Sequence, residues 1–225
     1  MTYRSRRSST PDISLPPIKN RNWANFNRIL CIDESLNNSG AAMFVDGAYR
    51  PRLEDGIDVG LSLKQSISKS QQEKIVAYHQ WVASLLESEA PDVVIGESHP
   101  FIRGNKNTSI ATLEVLSGVR YVTMLACGQA RVPYAEFSTN HVKLVMCDSS
   151  SASKEMIQLI LKGCGYMLPV YKSNSEVNDN VCDAIAMGEV ITRMQKQEVI
   201  RQQYAGIVGD GRSQTRLRRK QNGGQ

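Results

Sequence analysis

The segment at residues 27–46 consists of two short apolar runs joined by a polar turn. The first run, 29–32, has the length and composition of a strand that is buried on both faces of a sheet, and it stops at Asp33. The second run, 41–45, ends in an Asp-Gly turn signal. The pattern predicts a strand hairpin in which the Asp33 carboxylate is held rigidly where the first strand leaves the core. Asp33 is therefore a candidate for chemistry, although an aspartate after a strand is also a common turn former.

The five cysteines of the 225-residue chain include no C-x-x-C pair and lie mostly within apolar runs. This distribution favours reduced, buried thiols in an intracellular, cytoplasmic protein over a disulfide framework or a zinc site. With 41% hydrophobic residues, the chain is long enough for one domain with a substantial core. No apolar run approaches the roughly 20 residues that a membrane-spanning helix needs, so no membrane partner is expected.

The positive charge of the chain is concentrated at its two ends. Residues 1–22 carry five basic side chains against one acidic, residues 211–225 carry five and no acidic one, and the segment between them is mildly acidic. Basic arms on an acidic body are typical of proteins that bind a polyanion, because each neutralised phosphate releases counterions. Solubilising tails would have the same composition. The tail residues Arg216, Arg218 and Arg219 are accordingly candidate nucleic-acid contacts.

The domain organisation follows from the same composition. We predict a flexible basic arm at 1–22, one folded domain at 23–205 and a flexible basic tail at 206–225. An organellar transit peptide would also be rich in Arg and Ser, but Pro16 and Pro17 and the lack of an amphipathic period favour a flexible arm.

The remaining periodic segments predict an α/β fold. Period-two alternation marks a third strand, and apolar spacing of three and four marks amphipathic helices between two further strands. The predicted strands after the hairpin are 56–63, 92–96 and 132–137, and the predicted helices are 68–89, 109–125, 151–163 and 178 to about 204. This order indicates a mixed five-stranded sheet, three antiparallel strands followed by two parallel ones, flanked by helices.

Acidic residues recur at the ends of the predicted elements. Asp33 and Glu97 each follow an apolar strand, and Asp183 lies among apolar residues near the start of the last helix, with Asp179 and Asn180 one turn earlier on the same face. Clustered carboxylates with few histidines select a hard cation such as Mg²⁺ or Mn²⁺. Two such ions about 4 Å apart activate water and stabilise the leaving oxygen in phosphodiester hydrolysis.

Four segments resemble, in order and local context, the RuvC family of Holliday-junction resolvases in its divergent phage-type branch: ILCIDESLNNSGAAMFVDG, DVVIGES, HVKLVMCDSSSASKEMIQLIL and NDNVCDAIAMGEVITRM. The resemblance covers about residues 28–195. It implies a ribonuclease H-like fold and a homodimer that cuts four-way DNA junctions by paired symmetric nicks. It also implies two Mg²⁺ ions per site, for which Mn²⁺ can substitute, and catalytic carboxylates at Asp33, Glu97 and Asp183.

The resemblance extends to further residues near these carboxylates. The fourth ligand position of the family, usually Asp or His, is Asn180 here, so either the Asn180 carbonyl oxygen or the adjacent Asp179 would complete the metal site. Lys143 and Lys154 fall where the family keeps basic residues near the scissile phosphate, and such cations offset developing negative charge. Either lysine could instead be an ordinary solvated residue.

A loop after Glu97 is the expected junction-binding element. The family has an aromatic residue here that wedges into the junction centre, and Phe101 is the candidate, although it could also pack beneath the loop. Stacking of a base on an aromatic ring contributes roughly 1 to 3 kcal/mol, which would help to hold a junction open. Arg103 and Lys106 would then contact backbone phosphates.

Other functions compatible with this fold are less consistent with the sequence. Actin-like ATPases need a glycine two residues after the first aspartate, where this chain has Ser35, and a glycine-rich adenosine-binding segment is also missing, so no nucleotide cofactor is expected. The alternatives are a noncatalytic junction-binding architectural protein and another nuclease of the same fold acting on other branched DNA or on RNA. Three carboxylates facing phosphates would hinder a protein that only binds.

Overall fold

The computed structural model describes residues 23–98 and 110–221, the side chains of 24, 110–113 and 205–221 excepted. The strands are β1 (Arg28–Asp33), β2 (Asn38–Val45), β3 (Ala48–Arg50), β4 (Leu53–Glu54), β5 (Ile57–Asp58), β6 (Leu61–Lys64), β7 (Val93–Ser98) and β8 (Tyr134–Ser138). The helices are α1 (Gln71–Glu89), α2 (Ile110–Ala130), α3 (Thr139–Cys147), α4 (Lys154–Gly163) and α5 (Asp179–Gln221), and a short 3₁₀ helix, Trp23–Asn25, precedes β1.

The main sheet has the predicted mixed topology. Its order is β3-β2-β1-β7-β8, with β6 also paired to β2. The strands on one side of β1 are antiparallel, whereas β7 runs parallel to β1 and β8 runs parallel to β7. The carboxyl ends of β1, β7 and β8 therefore meet at one edge of the sheet, which is where open α/β sheets bind their ligands.

The apolar run that forms β1 is continuous because both of its faces are covered. Ile29 and Cys31 belong to a core cluster with α3, α4 and α5, whereas Leu30 and Ile32 belong to a second cluster with α1 and α2. Side chains alternate between the faces of a strand, so a strand with no polar face must lie between two helical layers. The core thus consists of a central sheet with helices on both sides.

The predicted third strand, 56–63, is wrong in detail. Its place beside β2 is shared by β3 and β6, and the β4–β5 hairpin is inserted between them, so the sheet has six strands rather than five. The chain turns at Gly56 and Gly60, whose φ angles of 78° and 62° favour glycine. The buried carboxylate of Asp58 fixes the inserted hairpin, since it accepts hydrogen bonds from the Tyr49 hydroxyl and from the Gly60 N–H at 2.8 and 2.9 Å.

Two helices differ from the prediction. The helix α3 was not predicted, because Ser138 both ends β8 and caps α3 through a hydrogen bond from the His141 N–H, so no loop signal separates the two elements. The helix α5 continues to Gln221 instead of ending near Tyr204. The added segment contains no proline, and its second half, 212–221, is rich in Arg, Gln and other good helix formers, whereas three glycines lie in its first half. Whether 206–225 acts as a separate DNA-binding tail remains a prediction.

Within the described ranges, no helix combines the length and the apolar character that crossing a bilayer would require.

Candidate active site

The sheet register brings the first two predicted carboxylates together. Ile32 of β1 lies opposite Gly96 of β7, and the next residues along these two parallel strands are Asp33 and Glu97. Both therefore emerge at the same carboxyl edge of the sheet. The side chain of Asp33 is buried, with 8% of its surface exposed.

A close approach of helix α5 to the sheet brings in the third carboxylate. Gly40 of β2 pairs with Asp33, and a Cβ atom on Gly40 would lie 2.3 Å from the carbonyl carbon of Asn180 and 2.4 Å from the nitrogen of Val181. Only glycine lets the first turn of α5 rest directly on the strand at this level. Asp183 lies on the next turn of the helix and reaches the strand ends.

The three carboxylates and Lys143 line one small cleft of about 30 Å³, a volume on the scale of an ion or a water molecule. Thr139 also lines the cleft, and its hydroxyl donates a hydrogen bond to Glu97. Apolar side chains of Val142, Ile157 and Met187 close the cleft from the helical side. Thr139 and Lys143 reach the cleft because α3 starts immediately after β8, and the end of β8 lies beside the end of β7.

Lys154 links the cleft to the start of α5. Its ammonium lies 3.7 Å from Asp183 and 3.6 Å from Asp179. Asp179 also accepts a hydrogen bond of 2.7 Å from the Gln158 amide. The cleft lining among the described residues includes neither Asp179 nor Asn180, and Asn180 contributes its backbone to the contact with Gly40.

The carboxylates of the cleft disfavour one another's ionisation. Burial is the main cause that raises the pKa of Asp33 well above its usual range, and the negative charges of Glu97 and Asp183 add to it. Burial also raises the pKa of Asp183 to about 6, against the opposing effect of the Lys154 ammonium. For Lys154 itself, burial lowers the pKa, but the charges of Asp183 and Asp179 outweigh it and the net shift is upward. A buried cluster of this kind is stabilised by a cation.

Sequence comparison identifies relatives of the chain, although no family model matches it. It is 32% identical over 118 residues to the crossover junction endodeoxyribonuclease RuvC of Thermomicrobium roseum, covering 51% of this chain and 64% of that protein. It is 30% identical over 133 residues to the RuvC of Gloeobacter violaceus, covering 58% of this chain and 70% of that protein. The chain belongs to the RuvC family. The membership of the RuvC family that the sequence motifs predicted is confirmed.

Structural comparison identifies a solved structure that shares the fold of this RuvC family member. The Thermus thermophilus RuvC in complex with a Holliday junction substrate superposes with a TM-score of 0.58 at 19% identity, covering 76% of this chain and 95% of that one. The likeness shows a shared fold, and the predicted ribonuclease H-like α/β class is confirmed.

The donor set of this RuvC family member suits a hard divalent cation. The cleft offers carboxylate oxygens from three elements, with neither a thiol nor an imidazole among its lining residues, and its one sulfur is the thioether of Met187 in the apolar wall. Carboxylate-rich sites of this kind suit Mg²⁺ and Mn²⁺. Within the part of the chain that the structure describes, no three His, Cys, Asp or Glu side chains already stand in coordinating geometry. Lys154 contacts Asp183, and Thr139 contacts Glu97, so protein groups already partner these two carboxylates.

Six predicted DNA contacts cannot be located in this RuvC family member. Phe101, Arg103 and Lys106 lie outside the described residues, and so do the side chains of Arg216, Arg218 and Arg219. Their roles remain predictions. Sequence reasoning missed Thr139. Its position could have revealed it, because it directly follows β8, the strand that runs beside the strand carrying Glu97.

A second missed residue is Glu34, the neighbour of Asp33 on the opposite face of the sheet. Its side chain is 2% exposed, and Oε1 accepts a hydrogen bond of 3.2 Å from the Tyr134 hydroxyl. Its Oε2 has no hydrogen-bond partner among the described residues. Gly96 makes room for this pair, because a Cβ there would lie 2.2 Å from the Tyr134 hydroxyl oxygen. The only local signal was a second acid after Asp33.

We expect Glu34 to make the stability of the protein fall as the pH rises. Burial raises the pKa of Glu34 to about 7, so its folded-state pKa exceeds the unfolded value near 4.3. The stabilisation is complete below the unfolded pKa and is lost progressively as the pH rises to about 7, with a total of roughly 4 kcal/mol. Glu34→Gln should flatten this decline in denaturant titrations at a series of pH values. The exposed Glu87→Gln is the control and should keep the wild-type slope, whereas an unchanged slope in Glu34→Gln would contradict the assignment.

Proposed function

We propose that the chain is a structure-selective DNA endonuclease that resolves four-way junctions by paired symmetric nicks. The observation that carries the proposal is the convergence of Asp33, Glu97 and Asp183, from three elements far apart in the sequence, at one sheet edge of a RuvC-family fold. Curated relatives carry the name crossover junction endodeoxyribonuclease, and one structural neighbour is bound to a Holliday junction. Intracellular, cytoplasmic location remains part of the proposal.

The residues of the cleft have separable roles in this proposal. Asp33, Glu97 and Asp183 would hold two Mg²⁺ ions, or Mn²⁺ in their place. Such ions, when bound, supply an activated water and charge stabilisation of the leaving oxygen. The Thr139 hydroxyl fixes the orientation of Glu97 through its hydrogen bond. Apolar walls from Val142, Ile157 and Met187 limit the water around the reacting phosphate.

Lys143 and Lys154 would offset negative charge at the scissile phosphate. Lys143 lines the cleft, and Lys154 is 51% exposed on its side chain, so both can face a bound strand.

The fourth metal ligand would come from the start of α5, where Asp179 and Asn180 are the two candidates. Asp179 is favoured over Asn180, because Asp179 shares the Lys154 ammonium with Asp183 and thus already belongs to the charge cluster of the cleft.

A synthetic four-way junction tests the proposed function against its alternatives. The protein is incubated with the junction and with linear duplex of the same arm sequence, in Mg²⁺ and in chelator. We expect paired nicks in the junction alone and only with Mg²⁺. Equal cleavage of the linear duplex would remove structure selectivity, and tight junction binding without cleavage in Mg²⁺ or Mn²⁺ would indicate an architectural protein.

A homodimer would present two equivalent sites to the two strands that must be nicked. Helix α2 exposes Tyr121 and Leu125 to 62% and 56%. These residues are four positions apart and share one face of the helix. An apolar face of this kind on a surface helix is typical of an interaction site.

We expect Leu125→Glu to convert the dimer to a monomer, because it places a charge in the centre of the proposed interface. Light scattering over a concentration series measures the molar mass. Leu159→Glu is the matched control, since Leu159 is a similarly exposed leucine, at 64%, on α4. A wild-type protein that is monomeric at micromolar concentration would contradict the proposal, as would a Leu125→Glu variant that remains dimeric.

A further inference from the structure

A groove of about 370 Å³ lies between strand β6 and the loop that precedes α5. Its walls carry three basic side chains, Arg52, Lys64 and Lys172, and one acidic side chain, Glu54. We call this feature the basic groove. None of its residues belongs to the carboxylate cleft or to the predicted junction loop.

The cations of the basic groove are available to a ligand. The side chains of Arg52 and Lys172 are 60% and 66% exposed, and both lie near Glu54. Exposed ion pairs contribute about 0 to 1 kcal/mol, so an approaching anion can replace Glu54 as the partner of Arg52 or of Lys172. Three positive charges against one negative leave a net attraction for anions. Lys64 lies over the Tyr171 ring, with its ammonium 5.4 Å from the ring centroid, and that contact leaves its charge unneutralised.

The basic groove is rigidly connected to the catalytic edge. Its loop is fixed to the β4–β5 hairpin by the Val170 N–H, which donates to the Asp58 carbonyl at 2.9 Å. The same loop is fixed to the start of α5 by the Asn178 N–H, which donates to the Pro169 carbonyl at 2.8 Å. Burial and, after it, the charge of Asp179 raise the pKa of Tyr171, as expected for a side chain near the acidic start of α5.

The sheet register sets the distance from the basic groove to the cleft. Ser62 in the groove lies opposite Gly40, and Gly40 lies opposite Asp33. Two strand spacings of about 4.8 Å therefore separate Ser62 from Asp33 by roughly 10 Å. A distance of this size spans about one to two nucleotides of a DNA strand, because successive phosphates follow the helical path and lie well beyond the axial rise of about 3.4 Å from one another.

We propose that the basic groove binds the phosphate backbone of the DNA strand leaving the carboxylate cleft, about one to two nucleotides from the scissile phosphate. The partner is DNA rather than an acidic protein, because the groove lies two strands away from an edge proposed to cut phosphodiesters. The inference rests on the proposed function. The contacts are to phosphates, so they position the strand without reading its sequence.

The first test compares two triple variants that lose the same charge. Arg52→Gln, Lys64→Gln and Lys172→Gln remove the cations of the groove, whereas Lys69→Gln, Arg131→Gln and Lys162→Gln remove three exposed cations elsewhere. Junction affinity is measured in chelator over a range of salt concentrations. The groove variant should lose about 0.9 from the logarithmic salt slope for each phosphate contact removed, and the control variant should keep the wild-type slope. Equal losses in both variants, or no loss in the groove variant, would overturn the proposal.

The second test locates the contact on the DNA. Neutral methylphosphonates replace the phosphates about one to three nucleotides from the nick, on one side of it at a time. We expect weaker binding of the wild type on one side only and no further weakening of the groove variant, since the same contact cannot be lost twice. If the methylphosphonate weakened binding of the groove variant as much as that of the wild type, the two losses would be additive and the proposal would be overturned. Both tests measure binding. If the protein binds through the basic groove but nicks no junction, only the proposed function is contradicted.

Discussion

Asp33→Asn is expected to abolish junction cleavage while leaving junction binding largely intact. Asparagine keeps the size of the side chain but removes the charge that would hold a cation at the end of β1. We expect a loss of at least about a thousandfold in the nicking rate, equivalent to about 4 kcal/mol of charge stabilisation. Asp183→Asn and Glu97→Gln should behave in the same way. Single-turnover nicking with saturating protein measures the effect.

Binding and stability provide the controls for these variants. Removing a negative charge that faces phosphates should leave junction affinity unchanged or slightly higher. Because burial raises the pKa of Asp33, Asp33→Asn should not lower the melting temperature in metal-free buffer, and the rise in melting temperature on adding Mg²⁺ should disappear. The exposed turn residue Asp46→Asn should retain cleavage. Intact nicking with lost binding would contradict the catalytic assignment.

Gly40→Ala is expected to impair both folding stability and cleavage. The added methyl group would lie 2.3 Å from the backbone of Asn180, and a backbone contact of this kind cannot be relieved by rotating a side chain. Overpacking of this type costs about 1 to 3 kcal/mol or more. Helix α5 would have to move away from β2, which would carry Asp183 away from Asp33. We therefore expect a lower melting temperature and a large loss of nicking at temperatures where the variant is still folded.

Gly163→Ala is the matched control for Gly40→Ala. A Cβ atom on Gly163 would have no neighbour within 4 Å, and alanine in place of glycine within a helix stabilises by roughly 0.5 to 1 kcal/mol. The control should retain both stability and nicking. Wild-type nicking by Gly40→Ala would show that the approach of α5 to β2 does not set the position of Asp183.

The sequence alone was sufficient for the fold class and for naming three candidate carboxylates, whose catalytic role remains a prediction. A strand buried on both faces must be apolar along its whole length, so β1 and β7 were visible as runs that stop beside Asp33 and Glu97. The amphipathic period likewise marked α1, α4 and most of α5. Each of these signals is local, because the periods of strands and helices repeat over neighbouring residues.

Only the tertiary structure decided which distant residues meet. Gly40 against Asn180, Tyr134 against Glu34, and Lys154 against Asp183 are contacts between separate elements, and they depend on sheet register and helix packing. The split third strand and the basic groove depend on how the buried Asp58 holds an inserted hairpin. No local pattern records such contacts, since a shift of one residue in register would turn the same side chains to the other face of the sheet.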